Sequence, residues 1–119
     1  MKKLYSSITG IDRGTVPMFS DFEDDGEMWA GKGDREKRVA VTFSEAFKSP
    51  PAVFVTLEML DLHNETSYRV VTASENITET GFDLVFRTWS DTRIARANCA
   101  WMAIGEVAAD DDWDIDTGS

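Results

Sequence analysis

The sequence predicts an all-β fold, a six-stranded antiparallel β-sandwich, and three observations carry this prediction. Apolar residues recur at every second position in several segments, which is the period of a half-buried strand, whereas the helical period is weak throughout. Polar turn segments separate these stretches. About six stretches recur in this way along 119 residues, a length that supports one domain and not two.

A region rich in glycine, aspartate and serine, residues 1–34, opens the chain and is expected to contain the first strand. Its large apolar side chains should anchor it on the core; they are Phe19, Phe22, Met28 and Trp29. Residues 39–43 form the second predicted strand, because every second residue there is apolar. Pro50 and Pro51 then break the chain before a third strand over residues 52–59.

Polar turns separate the next two predicted strands. A turn over residues 61–66 precedes the fourth strand, residues 68–73. A second turn ends at Gly81, which can adopt a positive φ, and leads into the fifth strand, residues 82–89.

A long sixth strand is predicted over residues 94–104, after the turn at 90–92. One face of this strand carries Trp101 and otherwise small residues, namely Ala95, Ala97, Cys99 and Ala103. Packing inside the sandwich and close approach of another protomer explain that face equally well. In the second case, Arg93 and Arg96 beside Asp91 are candidates for ion pairs across the interface.

Charge divides the chain into a sandwich domain, residues 1–107, and an acidic tail, residues 108–119, which is expected to be disordered. The net charge is -10, and six acidic residues with no basic one lie in the last 14 positions. An acidic surface repels phosphates, so nucleic acid is not an expected partner. The alternating Asp112, Asp114 and Asp116 resemble the start of a calcium loop, but Gly118 comes one place late and no closing Glu follows. We therefore expect no metal and no cofactor.

Membrane insertion and secretion signals are not expected from this sequence. It contains no run of about 18 apolar residues. Its beginning is basic but lacks the apolar segment of a signal peptide. Localisation is therefore left open.

Enzymatic chemistry finds little support, so we expect no enzyme. His63 is the only histidine and lies in a polar turn, where a solvated role is the simpler interpretation. Cys99 is the only cysteine and lies within a predicted strand, where a packed thiol is favoured over a nucleophile. Carboxylate pairs are too common in an acidic chain to single out a catalytic dyad.

Asp34, Arg69 and Trp89 form the most informative constellation. Two of them have a structural alternative: a strand-face ion pair for the arginine and a core-edge aromatic for the tryptophan. Together they supply what a sugar site needs. An aromatic ring packs against the C–H face of a pyranose, while a guanidinium and a carboxylate bridge neighbouring hydroxyls. Gly33 before Asp34 lets the backbone approach a ligand closely.

At these residues the chain resembles the H-type lectin family. The similarity runs from about Trp29 to Gly105 and rests on short segments in a fixed order. They are RVAVTF at 38–43, PPAVFV at 50–55, LD at 60–61, YRV at 68–70, ITETGF at 77–82, TWSDT at 88–92 and AWMAIG at 100–105.

The resemblance implies a six-stranded sandwich that forms a homotrimer or hexamer, with glycan sites at the protomer interfaces and no catalysis. It implies preference for N-acetylgalactosamine or galactose. By this resemblance Asp34, Arg69, Trp89 and Ser90 bind the carbohydrate. Ser90 stands where a family member has histidine, and Ala95 where it has an aromatic residue. The family's cysteine pair is also missing, which fits a reducing or bacterial setting.

Two hypotheses of function follow. The first is a multivalent lectin, displayed on or released by a bacterium or a phage-like particle. The second is an assembly module of such a particle or of a cell surface, which keeps the trimeric sandwich without binding sugar. Arg69 and Trp89 favour the first hypothesis, whereas Ser90 and Ala95 favour the second.

Overall fold

The predicted all-β class is confirmed by the computed structural model, which describes residues 8–109 together with Met1 and Lys3. Six strands and one short helix follow one another along the described chain. They are β1 (Thr9–Ser20), α1 (Glu27–Ala30), β2 (Arg35–Thr42), β3 (Ala52–Leu62), β4 (Val70–Glu75), β5 (Gly81–Thr88) and β6 (Ile94–Glu106). The tail from residue 110 onward, including the candidate calcium residues, lies outside the described part.

Two antiparallel sheets of three strands each make up the fold. The first has the order β1-β6-β3 and the second has the order β2-β5-β4, so that β6 and β5 are the central strands. The sheets pack face to face through aromatic side chains. Phe19 of the first sheet meets Phe86 of the second at 5.1 Å, and Trp101 meets Phe82 at 5.5 Å between ring centroids. This arrangement confirms the antiparallel sandwich.

Strand alternation explains which side chains form the core. Leu84 and Phe86 of β5 are fully buried, and Val39 and Val41 of β2 pack against the same cluster. Residues of the opposite phase on these strands therefore lie on the outer face of the second sheet, which is the surface that carries the candidate site.

The small residues of β6 face the inside of the sandwich. Ala97, Cys99 and Ala103 are each 0% exposed and belong to the hydrophobic core. The structure thus favours core packing over close contact with another protomer as the reason for their size. The two neighbouring arginines also have partners within the chain: Arg96 pairs with Asp61, and Arg93 stacks on Trp29.

The N-terminal anchors are only partly as expected. Met28 is buried and Phe19 packs on the core, but Phe22 is 42% exposed and anchors nothing by burial. Met28 is the buried residue of the short helix α1, which the sequence pattern did not predict. The carboxylate of Asp21 accepts a hydrogen bond from the Met28 amide at 3.0 Å and so fixes the position of this helix.

A second outer face, that of the first sheet, carries exposed apolar side chains. Ile11, Phe54 and Met102 are 64%, 59% and 41% exposed. Phe54 is the ladder partner of Met102, and Ile11 is the partner of Ile104 two residues further along β6. We call this surface the apolar face. The described residues include no helix long and apolar enough to cross a bilayer.

Candidate functional site

Trp89 follows β5 directly and is 37% exposed at the end of the second sheet. In the two ladders of this sheet, Thr88 pairs with Arg35 of β2 and with Val70 of β4. Continuing both registers by one residue sets Asp34 and Arg69 on either side of Trp89. Because neighbouring residues along a strand point to opposite faces, all three belong to the outer phase of the sheet.

A backbone hydrogen bond extends the β2–β5 ladder by one pair, and a side-chain hydrogen bond ties β5 to the residue before β4. The amide of Gly33 donates to the carbonyl oxygen of Ser90 at 2.9 Å, on the β2 side. On the β4 side, the hydroxyl of Thr88 donates to the carbonyl oxygen of Arg69. The four candidate residues Asp34, Arg69, Trp89 and Ser90 are all exposed and are thus gathered at one end of one sheet.

A cleft of about 420 Å³ opens at this end. Its lining includes Asp34, Arg35, Glu36, Val71, Arg87 and Trp89. Two of the candidate residues, Asp34 and Trp89, therefore line a common cleft. Arg69 and Ser90 lie beside it and do not form its wall. An exposed indole next to a carboxylate, with a guanidinium nearby, can hold a polyhydroxylated ring.

Arg35 joins the loop that carries Asp34 to the turn that carries Ser90. This arginine is only 6% exposed, and its guanidinium donates to backbone carbonyl oxygens. The acceptors are Gly33 at 3.0 Å, Glu27 at 3.1 Å, Met28 at 3.3 Å and Ser90 at 3.2 Å. Burial lowers the pKa of Arg35 from its ordinary value, and the charge of Glu27 opposes that effect. The arginine therefore fixes both sides of the site.

Thr92 fixes the backbone of Arg69, which lies on the β4 side of Trp89. It is fully buried, and its Oγ1 accepts a hydrogen bond from the Arg69 amide at 3.2 Å while lying 2.8 Å from the hydroxyl of Ser67. This side-chain bond explains why β4 begins at Val70 and not at Tyr68 as predicted. Arg69 is consequently an exposed residue at the start of the strand and not a residue within it.

Asp91 ties the neighbouring loops together. Its carboxylate accepts a hydrogen bond from the Ser67 amide at 3.1 Å. Hydrogen bonds from Ser67, and to a smaller extent the charge of Lys32, hold the pKa of Asp91 below its ordinary value. The loops before β4 and before β6 are therefore joined at the end of the sheet where the candidate residues lie.

Four charged side chains form a closed ring on the outer face of the second sheet. Glu36 contacts Arg87 at 2.8 Å, Arg87 contacts Glu75 at 2.8 Å, Glu75 contacts Arg38 at 2.8 Å, and Arg38 returns to Glu36 at 3.5 Å. Val85 is the ladder partner of Arg38 and is 0% exposed, although it belongs to the outer phase. We call this arrangement the charged ring.

Three residues that extend the cleft were not predicted from the sequence. Glu36, Arg87 and Val71 each lie two positions from a candidate residue on the same strand or its extension. The period of two was the signal that was available, since it assigns them to the same face as Asp34, Trp89 and Arg69.

The contacts of His63 and Cys99 indicate structural roles for both side chains. The Nδ1 atom of His63 accepts a hydrogen bond from the Glu65 amide at 3.1 Å, and its ring lies 5.8 Å from that of Trp29. His63 is therefore partly packed and not simply solvated. Cys99 lies in the core, where burial raises the pKa of its thiol to about 11.

Comparison with known proteins identifies relatives over most of the chain. The family model of the H-type lectin domain matches residues 38–104. A protein of Fuscovulum blasticum named "ATP synthase subunits region ORF 7" is 49% identical over 116 residues, covering 98% of this chain and all of that protein. A discoidin-1 polypeptide of Dictyostelium discoideum is 32% identical over 74 residues, covering 61% of this chain and 29% of that protein.

The solved structure of recombinant discoidin II of Dictyostelium discoideum superimposes with a TM-score of 0.73 at 28% identity. The match covers 91% of this chain and 41% of the discoidin chain, so this chain spans less than half the length of the discoidins that it matches. The family match, the relatives and the shared sandwich agree with one another: the chain belongs to the H-type lectin domain family, a family of carbohydrate-binding domains.

Proposed function

We propose that this protein is a non-catalytic lectin that binds terminal galactose or N-acetylgalactosamine through Asp34, Arg69, Trp89 and Ser90. The observation that carries the proposal is the shared register, in which Asp34 and Arg69 flank Trp89 at the end of the second sheet. Because the chain belongs to a lectin family, we interpret this geometry as a carbohydrate-binding site.

Each proposed contact has a distinct chemical role. The axial hydroxyl at C4 of galactose leaves several C–H groups on one face of the ring, and the exposed indole of Trp89 packs against that face. The carboxylate of Asp34 accepts hydrogen bonds from two neighbouring hydroxyls. The guanidinium of Arg69 donates to a ring hydroxyl or to the acetamido carbonyl. Ser90 directly follows Trp89 and stands where a family member has histidine, so its hydroxyl is the polar group proposed for that position.

We propose, as the family resemblance implies, that three protomers assemble with the glycan sites at their interfaces, and the apolar face supports assembly into this homotrimer. Ile11, Phe54 and Met102 expose their side chains on neighbouring strands, and contiguous exposed apolar surface marks association sites. A single shallow sugar site is weak, roughly -4 kcal/mol for a millimolar dissociation constant. Three sites on one rigid assembly raise avidity by about 10²–10⁴ on dense glycans, which gives the trimer its functional value.

Galactoside titration of site variants tests the proposal. Trp89→Ala and Arg69→Ala should each lower the affinity for methyl galactoside at least tenfold, about 1.4 kcal/mol, while the circular dichroism spectrum stays unchanged. Lys48→Ala is the charge-matched control for Arg69→Ala, because Lys48 lies at the opposite end of the sandwich, where its amide bonds to Glu106. Failure of the unaltered protein to bind any glycan on an array, together with intact assembly, would support the assembly module instead.

A further inference from the structure

We infer that the cleft holds a second, uncharged sugar of the same glycan chain, in a subsite built by Val71, Arg87 and Glu36. This inference rests on the proposed function, in which the terminal sugar packs on Trp89. It adds that recognition extends to the penultimate sugar and favours a neutral one.

The subsite follows from the rows of the second sheet. Arg87 is the ladder partner of both Glu36 and Val71, so these three form a row across the outer face. The row lies two residues from the one that contains Trp89. Two residues along a strand advance about 6.8 Å, which is the scale of one sugar unit. The cleft that contains Trp89 is lined by all three residues of this neighbouring row.

Val71 gives the subsite an apolar contact. Its side chain is 43% exposed at the cleft wall, beside side chains that are charged. Sugar rings combine C–H groups with hydroxyls, so a wall that sets one apolar side chain among polar groups suits them. The exposure of Val71 leaves its methyl groups available for a ligand.

Arg87 and Glu36 give the subsite fixed polar groups. Arg87 donates from Nε to Glu36 and from Nη2 to Glu75, both at 2.8 Å, so that within residues 8–109 its Nη1 remains for a ligand. Because the charged ring already fixes this guanidinium, less side-chain freedom is lost when a hydroxyl binds to it.

The balance of charge indicates a neutral ligand. The charged ring contains two arginines and two glutamates, and each guanidinium contacts two carboxylates of the ring. A sulfated or sialylated sugar would place its negative charge beside Glu36, whereas uncharged hydroxyls meet both donors and acceptors in this row.

The test compares one sugar with two. Dissociation constants are measured by NMR titration for methyl β-galactoside and for two neutral disaccharides that end in galactose through β1→3 and β1→4 linkages. We expect at least one disaccharide to bind about tenfold more tightly than the monosaccharide. Val71→Ala should reduce that advantage to about threefold or less, with the monosaccharide affinity unchanged. Arg87→Gln should reduce it as well, and a sulfated disaccharide should show no advantage.

The outcomes separate the two levels of inference. If the unaltered protein binds no galactoside, the proposed function is wrong, and the proposed subsite is wrong as well. If it binds the monosaccharide but gains nothing from either disaccharide, the lectin proposal stands and the subsite is wrong. A disaccharide advantage that persists in full in Val71→Ala likewise overturns the subsite. Since Val71 is exposed, this variant is expected to fold, and its monosaccharide affinity serves as the internal control.

Discussion

Arg35 donates a hydrogen bond from Nη2 to the carbonyl oxygen of Ser90 at 3.2 Å, across 55 positions of sequence. Its other hydrogen bonds go to the segment from Glu27 to Gly33. One buried guanidinium therefore holds the two backbone segments that carry Asp34 and Trp89. The geometry of the proposed site therefore depends on this residue.

The first prediction concerns Arg35→Lys, which keeps the charge and removes the forked set of donors. We expect the free energy of unfolding to fall by about 2–3 kcal/mol, because buried hydrogen bonds to a charged group are lost. Galactoside affinity should fall at least tenfold under conditions where the variant remains folded. Urea unfolding and NMR titration measure the two effects, and unaltered affinity in a folded variant would show that Arg35 does not position the site.

The second prediction concerns Thr92→Val, a change of nearly equal shape that removes the hydroxyl. It leaves the Arg69 amide and the Ser67 hydroxyl without their shared partner. We expect a loss of about 1–3 kcal/mol in stability and weaker galactoside binding. Thr92→Ser retains the hydroxyl and should restore both measurements. Equal behaviour of the two variants would count against a role for this hydroxyl.

The third prediction concerns the charged ring and pH. Hydrogen bonds from Arg38 and Arg87 hold the pKa of Glu75 below its ordinary value of 4.5. The stabilisation that follows is present above that ordinary value and is lost as the pH falls through the lowered value of the folded state. Glu75→Gln should therefore lower Tm modestly at pH 7 but not below the lowered pKa.

Thermal scans at several pH values check this prediction of the charged ring. The difference between the two proteins should also shrink at high salt, because exposed charges are screened. A Tm difference independent of both pH and salt would indicate that Glu75 stabilises the fold by packing rather than by charge.

The fourth prediction concerns assembly through the apolar face. Phe54→Glu places a charge on a side chain that is 59% exposed, so each protomer should still fold. We expect light scattering to report the mass of a monomer where the unaltered protein forms a trimer. Thr42→Glu, on the outer face of the other sheet, is the matched control and should leave the mass unchanged. If Phe54→Glu keeps the full assembly, the interface lies elsewhere.

The fifth prediction concerns the thiol of Cys99. Burial raises its pKa to about 11, so it remains protonated and inaccessible at pH 8. A thiol reagent such as DTNB should react only after unfolding, at a rate that follows the unfolding transition. Rapid reaction of the folded protein would contradict the placement of Cys99 in the core.

The strands were predictable because burial alternates along them. In β2, Val39 and Val41 pack on the core, while their neighbours face solvent, and this period is visible in the sequence itself. The start of β4 was not predictable, because the Arg69 amide bonds to Thr92, a side chain 23 residues away. The helix α1 was missed since four residues are too few to show a helical period.

Of the candidate site, only the exposed side chains were predictable from the sequence. Arg69 stood out because an arginine within a predicted strand is unusual in a half-buried sheet, and Trp89 stood out as a tryptophan at the end of the next predicted strand. The charged ring and the role of Arg35 depend on which strands pair and in which register, as in the contact of Glu36 with Arg87 across 51 positions. A single sequence carries no direct signal for such a register.

Trp89 is the first residue after β5, a central strand in which five of eight residues are buried. We expect the amide protons of such a strand to exchange with solvent only when the whole domain opens, because core strands open with free energies close to that of global unfolding. The proposed binding end is attached to this strand, so we expect it to open only together with the whole domain. Heating should abolish glycan capture in a single step that coincides with global unfolding, so residual capture after heat treatment reports directly the fraction of native molecules.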